Sequence, residues 1–176
     1  PARMQAAFGW DDGLESRIVQ AANEAGEPID TGLRHRGPNA AANLLVGAAD
    51  YARFGAWVIK GAGLPEPLFA EMQRAQARHP DPAENFGLGW KLSGSGDAAT
   101  LWHDGREAGT RSLVILRPHQ RDGLVVLSNG SNGELLMRAI LRTALADGEA
   151  LLRQRDADVW RYLQAQPAPA LKGLLG

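Results

Sequence analysis

The stretch from Leu101 to Gly130 does most to constrain what this chain can fold into. Three apolar runs stand in it, Leu101-Trp102, Ser112 to Leu116 and Leu124 to Leu127, separated by polar and turn-forming residues. Aliphatic and β-branched runs bounded by Pro, Asp and Gly predict strands buried on both faces. The first run ends at the polar triplet His103-Asp104-Gly105, and the second reaches a turn over Pro118 to Gly123. A hairpin is expected at Arg121-Asp122-Gly123. A polar triplet at the lip of such a sheet is a candidate site.

The rest of the pattern supplies helices to cover the sheet. Tyr51, Phe54, Gly55, Val58 and Ala62 recur at helical spacing and predict a helix from Ala48 to about Gly61. Gly47 is its expected N-cap, and Asp50 lies in the first turn, where a carboxylate favours the exposed amides. Pro65 opens a second predicted helix, Glu66 to about Arg78, with Leu68, Phe69, Met72 and Ala75 inward. A third runs from Asn132 to Ala146 with Leu135, Leu136, Ala139, Ile140, Thr143 and Ala144 on one side. Phe86 to Ser93 alternates apolar with small or polar residues, the period of a strand with one buried face. Turns are expected at His79 to Pro82 and Gly94 to Asp97, and a weaker helix at Asp156 to Gln164. Residues 1 to 40, rich in Gly, Pro, Asp and Asn, predict a long irregular approach to the first helix. The expected fold class is α+β, an antiparallel sheet covered by helices.

With 176 residues the chain suits one domain burying about two thirds of its unfolded surface. No apolar run approaches the about 18 residues of a membrane span. Nineteen basic residues against twenty acidic ones, without a basic block, give no electrostatic reason to expect nucleic acid or an anionic membrane as partner. The absence of cysteine excludes disulfides and thiolate chemistry and leaves the compartment open. His35, His79, His103 and His119 are not spaced as metal ligands, so no metal or cofactor is expected.

Several ordered segments together resemble a known family. They are Asn39 to Phe54, Phe86-Gly-Leu-Gly-Trp90, His103-Asp104-Gly105 with Gly109 and Ser112, and Leu124 to Gly130. They are similar to the second half of serine hydrolases related to class C beta-lactamases, esterases and D-amino-acid-specific peptidases, with the penicillin-binding-protein fold. The resemblance covers about residues 1–150 and implies a partial beta-lactamase/transpeptidase-like fold, leaving 151–176 as a weakly ordered helical tail. In that family the third active-site motif is Lys-Thr-Gly or His-x-Gly on the inner edge strand of the sheet, and His103-Asp104-Gly105 matches the second form.

The resemblance implies that His103 steadies a substrate group and the nearby nucleophile, and that Gly105 lets substrate lie close to the strand. It makes the Arg106 amide one of two oxyanion-hole donors, a role typically worth ~3 kcal/mol. Asp104 and Glu107 are candidate substrate contacts. Taken alone, His103 reads as a strand-end histidine bonded to a neighbouring carbonyl, and the side chains of Arg106 and Glu107 as solvated turn residues. Asn39 and Asn43 read best as turn formers.

The family's Ser-x-x-Lys nucleophile motif and its Tyr-x-Asn motif occur nowhere in the 176 residues. Both precede the matched region in the family. The expectation is therefore a C-terminal portion of a serine hydrolase that needs a missing N-terminal half, with a small-molecule or peptide-like substrate. Periplasmic or secreted members are common in the family. The alternative is a non-catalytic module that binds peptide or cell-wall-like ligands in the same groove.

Overall fold

The computed structural model describes residues 4–78, 85–93, 99–153 and 156. In chain order these form β1 (Ala6–Ala7), β2 (Leu45–Val46), α1 (Ala48–Ile59), α2 (Glu66–Met72), β3 (Ala77–Arg78), β4 (Asn85–Phe86), β5 (Lys91–Ser93), β6 (Thr100–Glu107), β7 (Thr110–Arg117), β8 (Asp122–Ser128) and α3 (Gly133–Ala144). Strands β1 and β2 pair by themselves, while β3 to β8 form one antiparallel meander in chain order. The fold is α+β, and the sheet carries helices on both faces.

β7 shows why both faces are covered. Its even residues Val114 and Leu116 join Trp90, Leu92 and Leu101 in a core with Val58 of α1 and Met72 of α2. Its odd residues Leu113 and Ile115 join Val126 in a second core with Met137 and Leu141 of α3. A strand packed on two sides needs apolar residues at consecutive positions, and Leu113 to Leu116 supplies them. Edgeward, β6 is buried only over Thr100 and Leu101, and its remaining residues are half-buried or exposed.

α1 begins after Gly47 as expected and buries Gly55 and Val58. Other expectations need correction. The second helix stops at Met72, because the chain turns back to pair Ala77 and Arg78 with Phe86 and Asn85. Leu68 is exposed and Ala75 lies beyond the helix. The run Phe86 to Ser93 is two short strands, since Gly87 donates to the Trp90 carbonyl at 2.8 Å and Gly89 takes φ 76°. The helix after Gly130 buries Gly133, Met137 and Leu141, while Leu135 and Leu136 are 72% and 60% exposed. The sheet lies against the Met137 side, one turn-step round from the expected face.

Strand β6 also runs straight through the triplet that was expected to end it, and turns only at Ala108-Gly109. The next turn is Pro118 to Arg121, where Arg121 takes φ 58°; Asp122 and Gly123 already belong to β8. Arg117 closes that hairpin, donating from Nε to Asp122 at 2.6 Å and from Nη1 to Asp147. The hydrogen bond to Asp122 is the largest of the effects that hold the Arg117 guanidinium above its usual pKa.

The first 40 residues are irregular, with 3-10 turns at Asp12–Arg17 and Leu33–His35. Asn39 accepts from the Ala41 amide at 2.8 Å, and buried Asn43 donates to the Gly37 carbonyl at 2.9 Å, so both serve turns. The expected turns at His79 to Pro82 and Gly94 to Asp97, and the helix Asp156 to Gln164 apart from Asp156 itself, lie outside the described residues.

Candidate active site

Strands β6 and β7 close on the two-residue loop Ala108-Gly109, with Glu107 opposite Thr110. Gly109 takes φ 70°, a conformation other residues avoid, and a Cβ there would lie 2.8 Å from Ala21 and Ile29. A loop this short closes on a residue pair that exchanges both backbone hydrogen bonds, and bonded and non-bonded pairs alternate from there. The backbones of Glu107, Gly105 and His103 therefore bond to β7. The amides of Arg106 and Asp104 point to the other side of the strand.

On that other side, among the described residues, β5 is in register with Thr100, Leu101 and Trp102 and with no residue beyond Trp102. β6 thus runs five residues past its neighbour, from His103 to Glu107. Side chains alternate across the strand in the same stretch. Since Leu101 lies in the α1 core, His103, Gly105 and Glu107 share the α1 face. Since Trp102 packs on the α3 core, Asp104 and Arg106 share the α3 face.

His103 is exposed, with Nδ1 3.2 Å from the Asp104 carbonyl oxygen. This is the neighbouring-carbonyl contact that the residue alone predicts, and it lies at the open edge. Gly105 follows on the same face, opposite Ser112. Glu107, at the hairpin tip, lies 3.6 Å from Arg36. Asp104 turns the other way and accepts a hydrogen bond from Lys91 Nζ at 3.1 Å. The ammonium of Lys91 stands 4.7 Å over the Trp102 ring. The Arg106 side chain likewise leaves on the α3 face and lines a cavity of about 440 Å³.

The structure thus gathers His103, Gly105, Glu107 and the Arg106 amide at one edge and face. It separates from them the side chains of Asp104 and Arg106. Lys91, Arg111 and Ser131 were not singled out from the sequence. Lys91 reaches Asp104 through the β5–β6 register, and Arg111 and Ser131 reach the cavity through the fold of the first 30 residues, neither of which has a local sequence signal.

Chemically, an outward amide beside an exposed imidazole and a residue without a side chain can receive a carbonyl oxygen and steady an adjacent polar group. Among the described residues no helix is long and apolar enough to cross a membrane.

The family described as Beta-lactamase matches residues 3–148. No curated protein matches the chain. Among solved structures, an octameric penicillin-binding protein homologue from Pyrococcus abyssi is 17% identical with TM-score 0.59, over 72% of this chain and 30% of that one. A beta-lactamase/D-alanine carboxypeptidase from Pseudomonas syringae is 16% identical with TM-score 0.54, over 92% of this chain and 49% of that one. A D-alanine carboxypeptidase from Burkholderia cenocepacia is 14% identical with TM-score 0.54, over 92% and 50%. The chain therefore spans half or less of the length of these structures, and likeness at such identity speaks to the fold alone.

Proposed function

The chain belongs to the beta-lactamase family, and from that premise we propose that it forms the His-x-Gly side of a serine hydrolase site. In this reading the site cleaves an ester or amide bond through an acyl-enzyme. Substrate lies along the β6 edge from His103 to Glu107, with its scissile carbonyl oxygen at the Arg106 amide. A serine hydroxyl, supplied with its base from outside these 176 residues, adds to the carbonyl carbon. The oxyanion that forms accepts from the Arg106 amide, the leaving group departs with a proton, and water then frees the acid. His103 steadies the polar groups around the nucleophile, and Gly105 keeps the path along the edge clear. One observation carries the reading: the hairpin parity aims the Arg106 amide to the side where β5 has ended.

The test is hydrolysis of a chromogenic ester and of nitrocefin by the 176-residue chain beside an N-terminally extended form. Turnover by the extended form alone, reduced about 100-fold by His103→Ala as for loss of a side chain positioned at the reacting groups, is the expected result. Turnover by the 176-residue chain itself, with a covalent acyl adduct on one of its own serines, overturns it. Saturable ligand binding with no turnover in either form favours the non-catalytic module, whose motivation is the absence of Ser-x-x-Lys from the sequence.

A further inference from the structure

Behind the β6–β7 hairpin tip, on the α3 face, lies the cavity of about 440 Å³ lined by Asn23, Glu24, Arg106, Glu107, Arg111 and Ser131 among others. Its far wall is the segment around Ala22, strapped to the end of the sheet. The Ala22 amide donates to the Asn129 carbonyl at 2.8 Å, the Ser131 amide donates to the Ala22 carbonyl at 3.0 Å, and Asn132 Nδ2 donates to the Glu24 carbonyl at 2.7 Å.

Arg111 is the feature that asks for an explanation. It is only 8% exposed, and its Nη1 donates to the carbonyls of Glu107 and Thr110 at 2.6 and 2.7 Å. Among the described residues no carboxylate pairs with it. A buried cation without a counter-charge is unfavourable, and a guanidinium carries five donors, of which two carbonyls on one nitrogen use few. Arg106, its cross-strand neighbour, lines the same cavity and likewise has no ion-pair partner among the described residues. The lining holds two guanidinium groups, Arg106 and Arg111, and two carboxylates, Glu24 and Glu107, and Glu107 lies 3.6 Å from Arg36, so that with Arg36 counted the cations outnumber the carboxylates by one. Ser131 Oγ accepts from the Gly109 amide at 3.2 Å, which leaves its hydroxyl hydrogen to donate.

We propose that this cavity binds a small oxyanion, a carboxylate or phosphate group held between the guanidinium groups of Arg111 and Arg106 with the Ser131 hydroxyl. Two forked donors suit the oxygens of such a group. The site lies across the strand from His103 and Gly105 and does not depend on their role.

The test is titration calorimetry of the N-terminally extended form with sodium phosphate and with sodium acetate, at ionic strength held constant by chloride. Single-site saturable binding is expected, weakened at least tenfold by Arg111→Met and by Arg106→Gln and unchanged by Arg53→Gln, a surface arginine on α1. Binding of phosphate alone assigns a phosphate group; binding of both assigns any small oxyanion. Ligand should also raise the thermal midpoint of the wild type and not of Arg106→Gln, as mass action requires for a ligand of the native state. Arg106 is exposed, so that variant keeps the test open if Arg111→Met fails to fold. No saturable heat with either anion, or binding that survives both arginine substitutions, overturns the proposal.

Discussion

Gly105→Ala separates a site residue from a structural one. An ideal Cβ on Gly105 would stand 2.5 Å from Ser112 Oγ and 3.8 Å from Ser112 Cβ, with nothing else within 4 Å. The clash is with a hydroxyl that makes no side-chain hydrogen bond among the described residues. It is relieved when Ser112 moves to another staggered rotamer, at a cost below ~1 kcal/mol. Against that stands the gain of replacing glycine inside a strand, on a propensity scale about 1 kcal/mol wide. The two offset, so the net effect on stability is within about 1 kcal/mol, a midpoint shift of roughly 2–4 °C or less for a chain of this size. The methyl nonetheless projects from the α1 face of β6 between His103 and Glu107. A displacement of the substrate by about 1 Å is worth about 100-fold in rate. Thermal unfolding of the chain should therefore change little, while kcat/KM for ester hydrolysis by the N-terminally extended form falls about 100-fold. A midpoint drop beyond about 8 °C would show that Ser112 cannot move aside. Unchanged turnover would show that substrate does not pass over Gly105.

Four further outcomes follow from the packing. Leu101, fully buried between β5 and β7, should lose about 2–5 kcal/mol on change to Ala, read from denaturant midpoints. Gly109→Ala should be clearly destabilising in the same assay, since φ 70° and contacts at 2.8 Å with Ala21 and Ile29 oppose any side chain. Met137→Ala should cost about 2–5 kcal/mol while Leu136→Ser stays within about 0.5 kcal/mol; equal effects would place the wrong face of α3 on the sheet. Arg117→Met should cost about 2 kcal/mol by chemical denaturation, because Asp122 and Asp147 lose their partner yet keep access to water.

Sequence pattern carried the placement of β6, β7, β8 and α1, which rest on local periodicity, but it put β3 inside the second helix and joined β4 and β5 into one strand. Leu113 to Leu116 is apolar at every position, and only a strand covered on two sides uses such a run. The apolar stripe of α3 misled for a physical reason: Leu135 and Leu136 are as apolar as Met137 and Leu141, and only the sheet decides which pair is buried. The second helix ran short because Gln76 donates to the Phe86 carbonyl at 2.7 Å, a non-local contact that outweighs local helical propensity. In the candidate site, His103 and Gly105 came from the resemblance of His103-Asp104-Gly105 to the family's His-x-Gly motif, since taken alone His103 reads only as a strand-end histidine. The counterpart of Asp104 was not legible, because Lys91 stands thirteen residues earlier and meets it only through strand register. Arg111 and Ser131 were hidden for the same reason, since the cavity wall at Ala22 is more than a hundred residues from the Asn129 carbonyl it bonds.

The two-residue spacing of His103 and Gly105 has a geometric cause that ties the motif to the hairpin. Strand alternation gives residues two apart the same face, and antiparallel pairing gives them the same backbone direction. His103 and Gly105 therefore present their side-chain positions to the α1 face while their own amides are spent on β7. The residue between them and the residue after them, Asp104 and Arg106, have the reverse assignment, with amides at the open edge and side chains on the α3 face. In the proposed site, substrate positioning by side chain and oxyanion binding by backbone thus fall to alternate residues, and neither role competes with the sheet for hydrogen bonds. Because the face a strand residue's side chain takes and the side its amide points to alternate together, one residue inserted into the Ala108-Gly109 loop that leaves the faces of β6 intact also leaves the Arg106 amide at the open edge.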